Sequence, residues 1–326
     1  MTTRRDLMVA LGAFALDAPL ALLAQPRSTL SRIGFLAADS ASAHARQAFL
    51  QGMRESGLAE NRDYAVEWRF ADGKYERLPN LATELVRLKV DVIVAVTTLC
   101  VQAASRATTT IPIVMIGVPD PIGEGFATSL SRPGRNITGL SNIVTEISSK
   151  QLELLHAAVP ALSRVAVLIN PANSSDALIL EQIQGAAYTR RLTVLPLEAG
   201  TPSQIESGFA AIARARAQAL IVAADPFFEV QRGQIIRLAM GIRLPTIFSS
   251  REMTEAGGLL SYGQDIAQHY LRAATYVARI LKGAKPGNLP IEQPTVLEFV
   301  INRKTAKALG LAIPRELELR ADQIID

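Results

Sequence analysis

Two rhythms of apolar and polar positions alternate along this chain. Residues 31–38, 90–96 and 111–118 are short runs of apolar and β-branched residues, which predicts strands buried on both faces of a parallel sheet. Residues 61–71 differ, because Tyr64, Val66, Trp68 and Phe70 alternate with Ala65, Glu67 and Arg69; a strand with one more polar face is predicted. Between the runs, apolar residues recur at helical spacing. Leu78, Leu81, Leu85 and Leu88 predict a helix over 78–88, preceded by one ending at Ser56 and followed by one starting near Leu99.

The same alternation returns further on. Helices are predicted over 148–159, 177–190, 202–215 and 228–240, and strands over 164–170, 192–198, 219–223 and 245–248. A last third adds a strand at 259–263, a helix at 266–281, a Gly- and Pro-rich extended segment at 283–294, a strand at 295–301 and a closing helix from Arg303. Each parallel strand pair needs a crossover helix, so two successive series predict two doubly wound α/β lobes.

Residues 111–142 link the two series. Their strand breaks at Pro119-Asp120-Pro121, where proline removes backbone donors; a helix-like piece over 124–130 closes at Arg132-Pro133-Gly134, and a short strand over 136–140 follows. Polar groups thus collect where strands end, the edge at which open α/β sheets bind ligands. Asp39 and Ser40 follow the first strand, Thr97 and Thr98 the third, and Asp120 the fourth. In the second series Asn170 and Asn173, then Asp225, then Ser250 stand at corresponding ends. Each can alternatively cap a helix, and only their recurrence on two rims points to a ligand.

Composition narrows the function. The chain has 326 residues, enough for two domains, and 49% of them are apolar. A net charge of +4, with basic residues scattered, gives no footprint for nucleic acid. Cys100 is the single cysteine, which excludes an intrachain disulfide and a two-thiol racemase. His44, His156 and His269 lack metal-ligand spacing, so no metal is expected, and no cofactor. No GxSxG elbow or GxxxxGK[ST] loop is present, and GEGFAT at 123–128 lacks the third glycine of a dinucleotide loop. No catalytic residue and no enzyme activity is expected. At the amino terminus, Arg4-Arg5 precede an apolar segment broken by Asp17 and Pro19, which reads as an export signal over 1–24, cut after Ala24, with a twin-arginine look.

The stretch IPIV, DPIGEG and SLSRPGRNITGLS resembles the substrate-binding proteins of bacterial ABC transporters, the group with tryptophan- and tyrosine-type members. The resemblance continues through 77–95, 163–173, 255–263 and 280–314. It implies a type I periplasmic binding protein fold whose chain crosses between lobes near Ser141-Asn142, Gln264-Asp265 and 293–296. Lobe 1 would then be 30–141 plus 265–293, and lobe 2 would be 142–264 plus 294–326. It implies a monomer, exported to the periplasm, that closes around a small polar solute and delivers it to an ABC permease and its ATPase in the inner membrane. An aromatic or branched amino acid is the implied solute type, with Asp225 or Asp120 on its ammonium group; Phe227 and Phe228 would either flank its side chain or belong to the core. Asp39, Ser40, Thr97, Thr98, Asp120 and Ser141 would hold one side, and Asn170, Asn173, Asp225 and Ser250 the other. A sensory receptor on the same fold would use the same pocket.

Overall fold

The computed structural model describes residues 30–40, 43–293 and 296–326, without side chains at positions 43 and 144–146. The export signal expected over 1–24 lies outside them. The first series folds as β1 (Ser31–Ala37), α1 (Ala43–Glu55), β2 (Tyr64–Phe70), α2 (Leu78–Arg87), β3 (Val92–Val96), α3 (Thr98–Ala107), β4 (Ile113–Val118) and β5 (Ile137–Ser141). These strands form one parallel sheet in the order β2-β1-β3-β4-β5. The central strands are apolar throughout because helices cover both faces, and every residue of β3 but the last is buried. β2 lies at an edge, where its alternating pattern is tolerated.

The second series is α4 (Val144–Ala158), β6 (Arg164–Ile169), α5 (Ser174–Thr189), β7 (Thr193–Glu198), α6 (Pro202–Ala215), β8 (Ala219–Val222), α7 (Pro226–Val230), α8 (Arg232–Gly241), β9 (Thr246–Phe248), α9 (Arg251–Glu255) and β10 (Leu260–Gln264). It is followed by α10 (Ile266–Leu281), β11 (Leu297–Asn302), α11 (Arg303–Leu309), α12 (Arg315–Glu318) and β12 (Gln323–Ile325). The second sheet runs β12-β11-β10-β9-β8-β6-β7. Its β7-β6-β8-β9-β10 portion repeats the strand order of the first sheet, all parallel; β11 turns back antiparallel to β10 and carries β12 beside it.

α10 comes late in sequence yet packs on the first sheet, against α1 and the strands β3, β4 and β5. Gly52 makes that packing close, since a Cβ there would press on the Leu271 carbonyl at 2.6 Å and on Ala274 at 2.8 Å. The core cluster around Ile33, Phe35 and Phe49 therefore includes Tyr270, Ala274 and Val277. A separate cluster, around Val165, Ile183, Ile221 and Phe248, fills the second sheet.

Several elements differ from the sequence reading: α9 and β12 are additional, and the closing helix from Arg303 is the two short helices α11 and α12. Residues 124–130 form turns rather than a helical piece, because Gly125 sits at φ +72° and Asp120 accepts the Gly123 amide at 2.8 Å, closing a tight turn. The helix expected over 228–240 is two, α7 and α8, broken at Gln231. The Arg232 guanidinium donates to the Glu229 carbonyl at 3.1 Å, satisfying an acceptor at the break.

Candidate functional site

In both sheets the strand order reverses direction between the first and third strands of the series, β1 and β3 in one and β6 and β8 in the other. Crevices open beyond the carboxyl ends at such points. The two crevices face each other across a cavity of about 580 Å³, lined from both sides. Asp39, Ser40, Thr97 and Thr98 come from the first sheet's edge, and Asn173, Asp225 and Ser250 from the second's.

Asp120, Ser141 and Asn170, also read as rim residues, do not line this cavity. Asp120 is exposed and its carboxylate closes the Gly123 turn. Ser141 is buried at the end of β5, with its amide and hydroxyl both donating to the Glu292 carbonyl, at 2.8 and 3.3 Å. Asn170 is buried behind the wall, donating its side-chain amide to Asp225 at 3.2 Å and accepting from the Ala172 amide. Phe227 and Phe228 belong to the core of the second sheet rather than to the cavity; Tyr270 supplies the aromatic ring on its lining.

One corner of the cavity is fully bonded. Asp225 caps α7 by accepting the Phe227 amide at 2.9 Å, and it accepts further from Tyr75 at 2.7 Å, Asn173 at 2.9 Å and Asn170 at 3.2 Å. Asn173 in turn caps α5 and donates to Asp176 at 3.0 Å. Burial raises the pKa of Asp225, and its four donors pull it back; Asp176 is pushed up by burial and then by the Asp225 charge. With more donors on Asp225, the shared proton belongs on Asp176.

Tyr75 reaches this corner from the segment just before α2, on the side of the first sheet. Its hydroxyl also accepts the Phe227 amide at 3.0 Å. Thr98 and Ser175 share a hydrogen bond of 3.1 Å, and Ser174 donates to Glu124 at 3.4 Å, so the two sides touch across the cleft. Where the chain passes between them, Gln264 donates to Asn142 at 2.8 Å. Gly263 is required beside it, since a Cβ would collide with the Ser249 carbonyl.

The opposite wall is unlike that corner. Asp39, Glu229 and Glu252 line it, from the end of β1, from α7 and from α9. Burial, then the neighbouring Asp72 and Glu252, raise Asp39 to about 6; burial, with Glu252 and Asp39 beside it, raises Glu229 to about 7. His269, on α10, is 6% exposed, and its Nε2 has no partner among the described residues. Burial lowers its pKa to about 4, so the ring is neutral. Thr97 holds φ at +78°, a conformation a β-branched residue seldom takes, and its side chain caps nothing. Ser250, at the start of α9, also leaves its helix uncapped by its hydroxyl.

Glu229, Glu252 and His269 were missing from the sequence-read rim. Glu252 stands in the polar run 249–252 after β9, which is the one signal that pointed to it; Glu229 sits in a helical stretch that reads as surface. No group of three or more His, Cys, Asp or Glu among the described residues is arranged to hold a metal ion.

Known proteins share this arrangement. A conserved domain protein from Vibrio cholerae superposes with a TM-score of 0.84 at 27% identity, covering 90% of this chain and 99% of that one. The ABC domain in complex with L-Trp from Streptococcus pneumoniae superposes equally well, TM-score 0.84, at 24% identity over 91% of this chain and all of the other. A tyrosine-binding protein from Clostridioides difficile is 25% identical over 280 residues, 86% of this chain and 79% of its own. Residues 33–325 match the family described as ABC transporter substrate binding protein. With two facing sheet edges, a cavity between them and a match that takes in every strand but the first residues of β1, the chain belongs to the ABC transporter substrate-binding protein family.

Proposed function

We propose that this protein is the extracytoplasmic receptor of an importer, closing on a small amino-acid-like solute and delivering it to an ABC permease and its ATPase. The observation that carries this reading is the cavity of about 580 Å³, shared by two sheet edges that already touch through Tyr75–Asp225 and Thr98–Ser175. A volume of this order suits a small molecule, within the roughly 300–1,000 Å³ of ordinary ligand sites. The moving bodies would be 30–141 plus 265–293 and 142–264 plus 294–326, with Asn142 and Gln264 at the hinge. Asp39, Ser40, Thr97, Thr98 and Ser250 are the rim residues proposed to contact the solute, while Asn173 and Asp225 hold the frame. The amino ends of α3 and α5, which meet at Thr98 and Ser175, suit a solute carboxylate. That the relatives bind tyrosine and tryptophan supports an amino-acid-like solute here.

Export to the periplasm as a monomer fits this role, with 1–24 as the signal and Arg4-Arg5 directing the twin-arginine route. No helix among the described residues is long and apolar enough to cross a membrane.

A thermal-shift screen over amino acids, amines, sugars, carboxylates and nucleosides tests the reading. A true solute at a hundred times its Kd adds roughly 2.7 kcal/mol to stability. A compound that stabilises the protein and is recovered unchanged supports a receptor; a compound consumed by the protein overturns it.

A further inference from the structure

The lining of the cavity is unbalanced in charge. Five carboxylates line it, Asp39, Asp225, Glu229, Glu252 and Glu255, against one guanidinium, Arg232. Two of the five are already served: Asp225 by its four donors, and Glu255 by Arg251 at 2.7 Å. Arg251 also pairs with Glu298 at 3.1 Å, and Arg232 spends itself on the Glu229 carbonyl. Asp39, Glu229 and Glu252 have no ion-pair partner among the described residues. They come from three elements on both sides of the cleft, yet lie close enough that each side's charge is felt by the other. Like charges gathered on a half-buried wall, with Arg232 near Glu229 as the one cation acting on them, are unfavourable, and a further cation in the cavity would complete the arrangement.

A second feature of the same cavity also lacks its partner. His269 is more than nine-tenths buried and lines the site, and its Nε2 is unsatisfied. A neutral imidazole there cannot neutralise the wall, but in the Nδ1–H tautomer its Nε2 accepts a hydrogen bond from an N–H group. Three carboxylates outside any ion pair and one unpartnered imidazole nitrogen are acceptors, and what the cavity lacks beside them is a donor that carries positive charge.

We propose that Asp39, Glu229 and Glu252 together seat a cationic nitrogen, and that the solute is a small organic cation of net positive charge, such as a basic amino acid or a diamine. This rests on the solute-receptor reading and narrows it. It also relocates the ammonium contact, since Asp225 already accepts four hydrogen bonds from the protein and Asp120 lies off the cavity. Because Asp39 approaches from the first sheet's side and Glu229 and Glu252 from the second's, one bound cation offsets charge on both lobes and favours closure.

The test is calorimetric titration of the purified full chain with L-lysine, cadaverine, L-norleucine, L-tyrosine and L-glutamate at pH 8. Norleucine matches the lysine side chain without its charge, and cadaverine keeps the two nitrogens without the carboxylate. Binding of lysine or cadaverine at least ~10-fold tighter than norleucine, about 1.4 kcal/mol, is the expected result. Lysine over cadaverine identifies a basic amino acid, and the reverse a diamine. Glu229→Gln and Asp39→Asn are expected to weaken the cationic probe ~10-fold or more, with the ligand-free melting temperature unchanged or higher. Norleucine, tyrosine or glutamate binding as tightly as the cations, or both variants binding lysine like the parent, overturns the cation seat and leaves the receptor reading standing. Silence of all five probes, together with no hit in the wider screen, overturns both.

Discussion

Two groups of acids share this cleft, one buried and one half-buried, and are built in opposite ways. At one corner Asp225 accepts four hydrogen bonds, from Tyr75, Asn170, Asn173 and the Phe227 amide, and its neighbour Asp176 takes the proton that the pair cannot both shed. On the facing wall Asp39, Glu229 and Glu252 have each other's charge for company and no ion pair, Arg232 acting on Glu229 only from a distance. Burial alone therefore does not say which acid meets a ligand. The count of donors already present does, because a carboxylate whose lone pairs are filled has nothing left to offer. The corner is frame, and the wall is the receptive surface.

The strongest way to break this contrast is to remove the acid at the corner. Asp225→Ala leaves the side-chain donors of Tyr75, Asn170 and Asn173 without their acceptor in a buried place. Each such group costs on the order of 1 kcal/mol or more, so a loss of about 3 kcal/mol is expected, measured as a lower urea midpoint at an unchanged slope. Glu229→Gln on the wall is expected to move the ligand-free midpoint upward or not at all. Equal losses from the two substitutions would mean that both acids are frame.

Acidity separates the two regions next. Raised carboxylate pKa values mean that the ligand-free fold holds those protons more tightly than the unfolded chain does. For Asp39 the penalty of ionisation sets in above the unfolded value near 3.8 and is complete above about 6; for Glu229 the window runs from 4.5 to about 7. Stability contributed by these two groups thus falls as pH rises through that range. Affinity for a cation moves the other way, because the ionised wall is its partner. The groups facing the pair are Asp72 and Glu252 around Asp39, and Glu252 and Arg232 around Glu229, while His269 stays neutral until about pH 4. Lysine or cadaverine is expected to bind ~10-fold more weakly at pH 5 than at pH 8, with protons released on binding that appear as a buffer-dependent heat. A flat profile would assign the recognition to groups other than the wall.

Much of the frame was legible in the chain. The strands β1, β3 and β4 announce themselves as unbroken apolar runs, and α10 begins and ends where its pattern does, at Ile266 and Leu281. What could not be read depends on partners remote in sequence. β12 is three residues long and exists because Val300, Ile301 and Asn302 offer it an edge. The break at Gln231, where the Arg232 guanidinium turns back to the Glu229 carbonyl, leaves no mark in the hydrophobic pattern. Rim positions after β1, β3, β8 and β9 followed from the rule that parallel sheets bind at their carboxyl ends, and Asp39, Thr97, Asp225 and Ser250 do line the cavity. The roles within the rim did not follow. Asp225 and Asp39 are the same residue type at the carboxyl ends of strands that flank the two crevices, β8 and β1, and only the three-dimensional arrival of Tyr75, Asn170 and Asn173 makes one a frame residue.

Tyr75 sharpens the contrast at the smallest scale, because it is the corner's link across the cleft. Its hydroxyl donates to Asp225 and accepts from the Phe227 amide, so Tyr75→Phe removes a bond that exists in the closed arrangement without touching the wall. One such bond is worth about 1 kcal/mol, which translates into a roughly fivefold loss of affinity. The loss should fall on the dissociation rate, since a less stable closed state releases its solute sooner while the encounter with the open cleft is unchanged. Stopped-flow titration with lysine and with norleucine reads both rates. If the corner only holds the lobes shut, the two probes lose affinity by the same factor and their ratio is preserved; a change in that ratio would show that the corner, like the wall, takes part in choosing the solute.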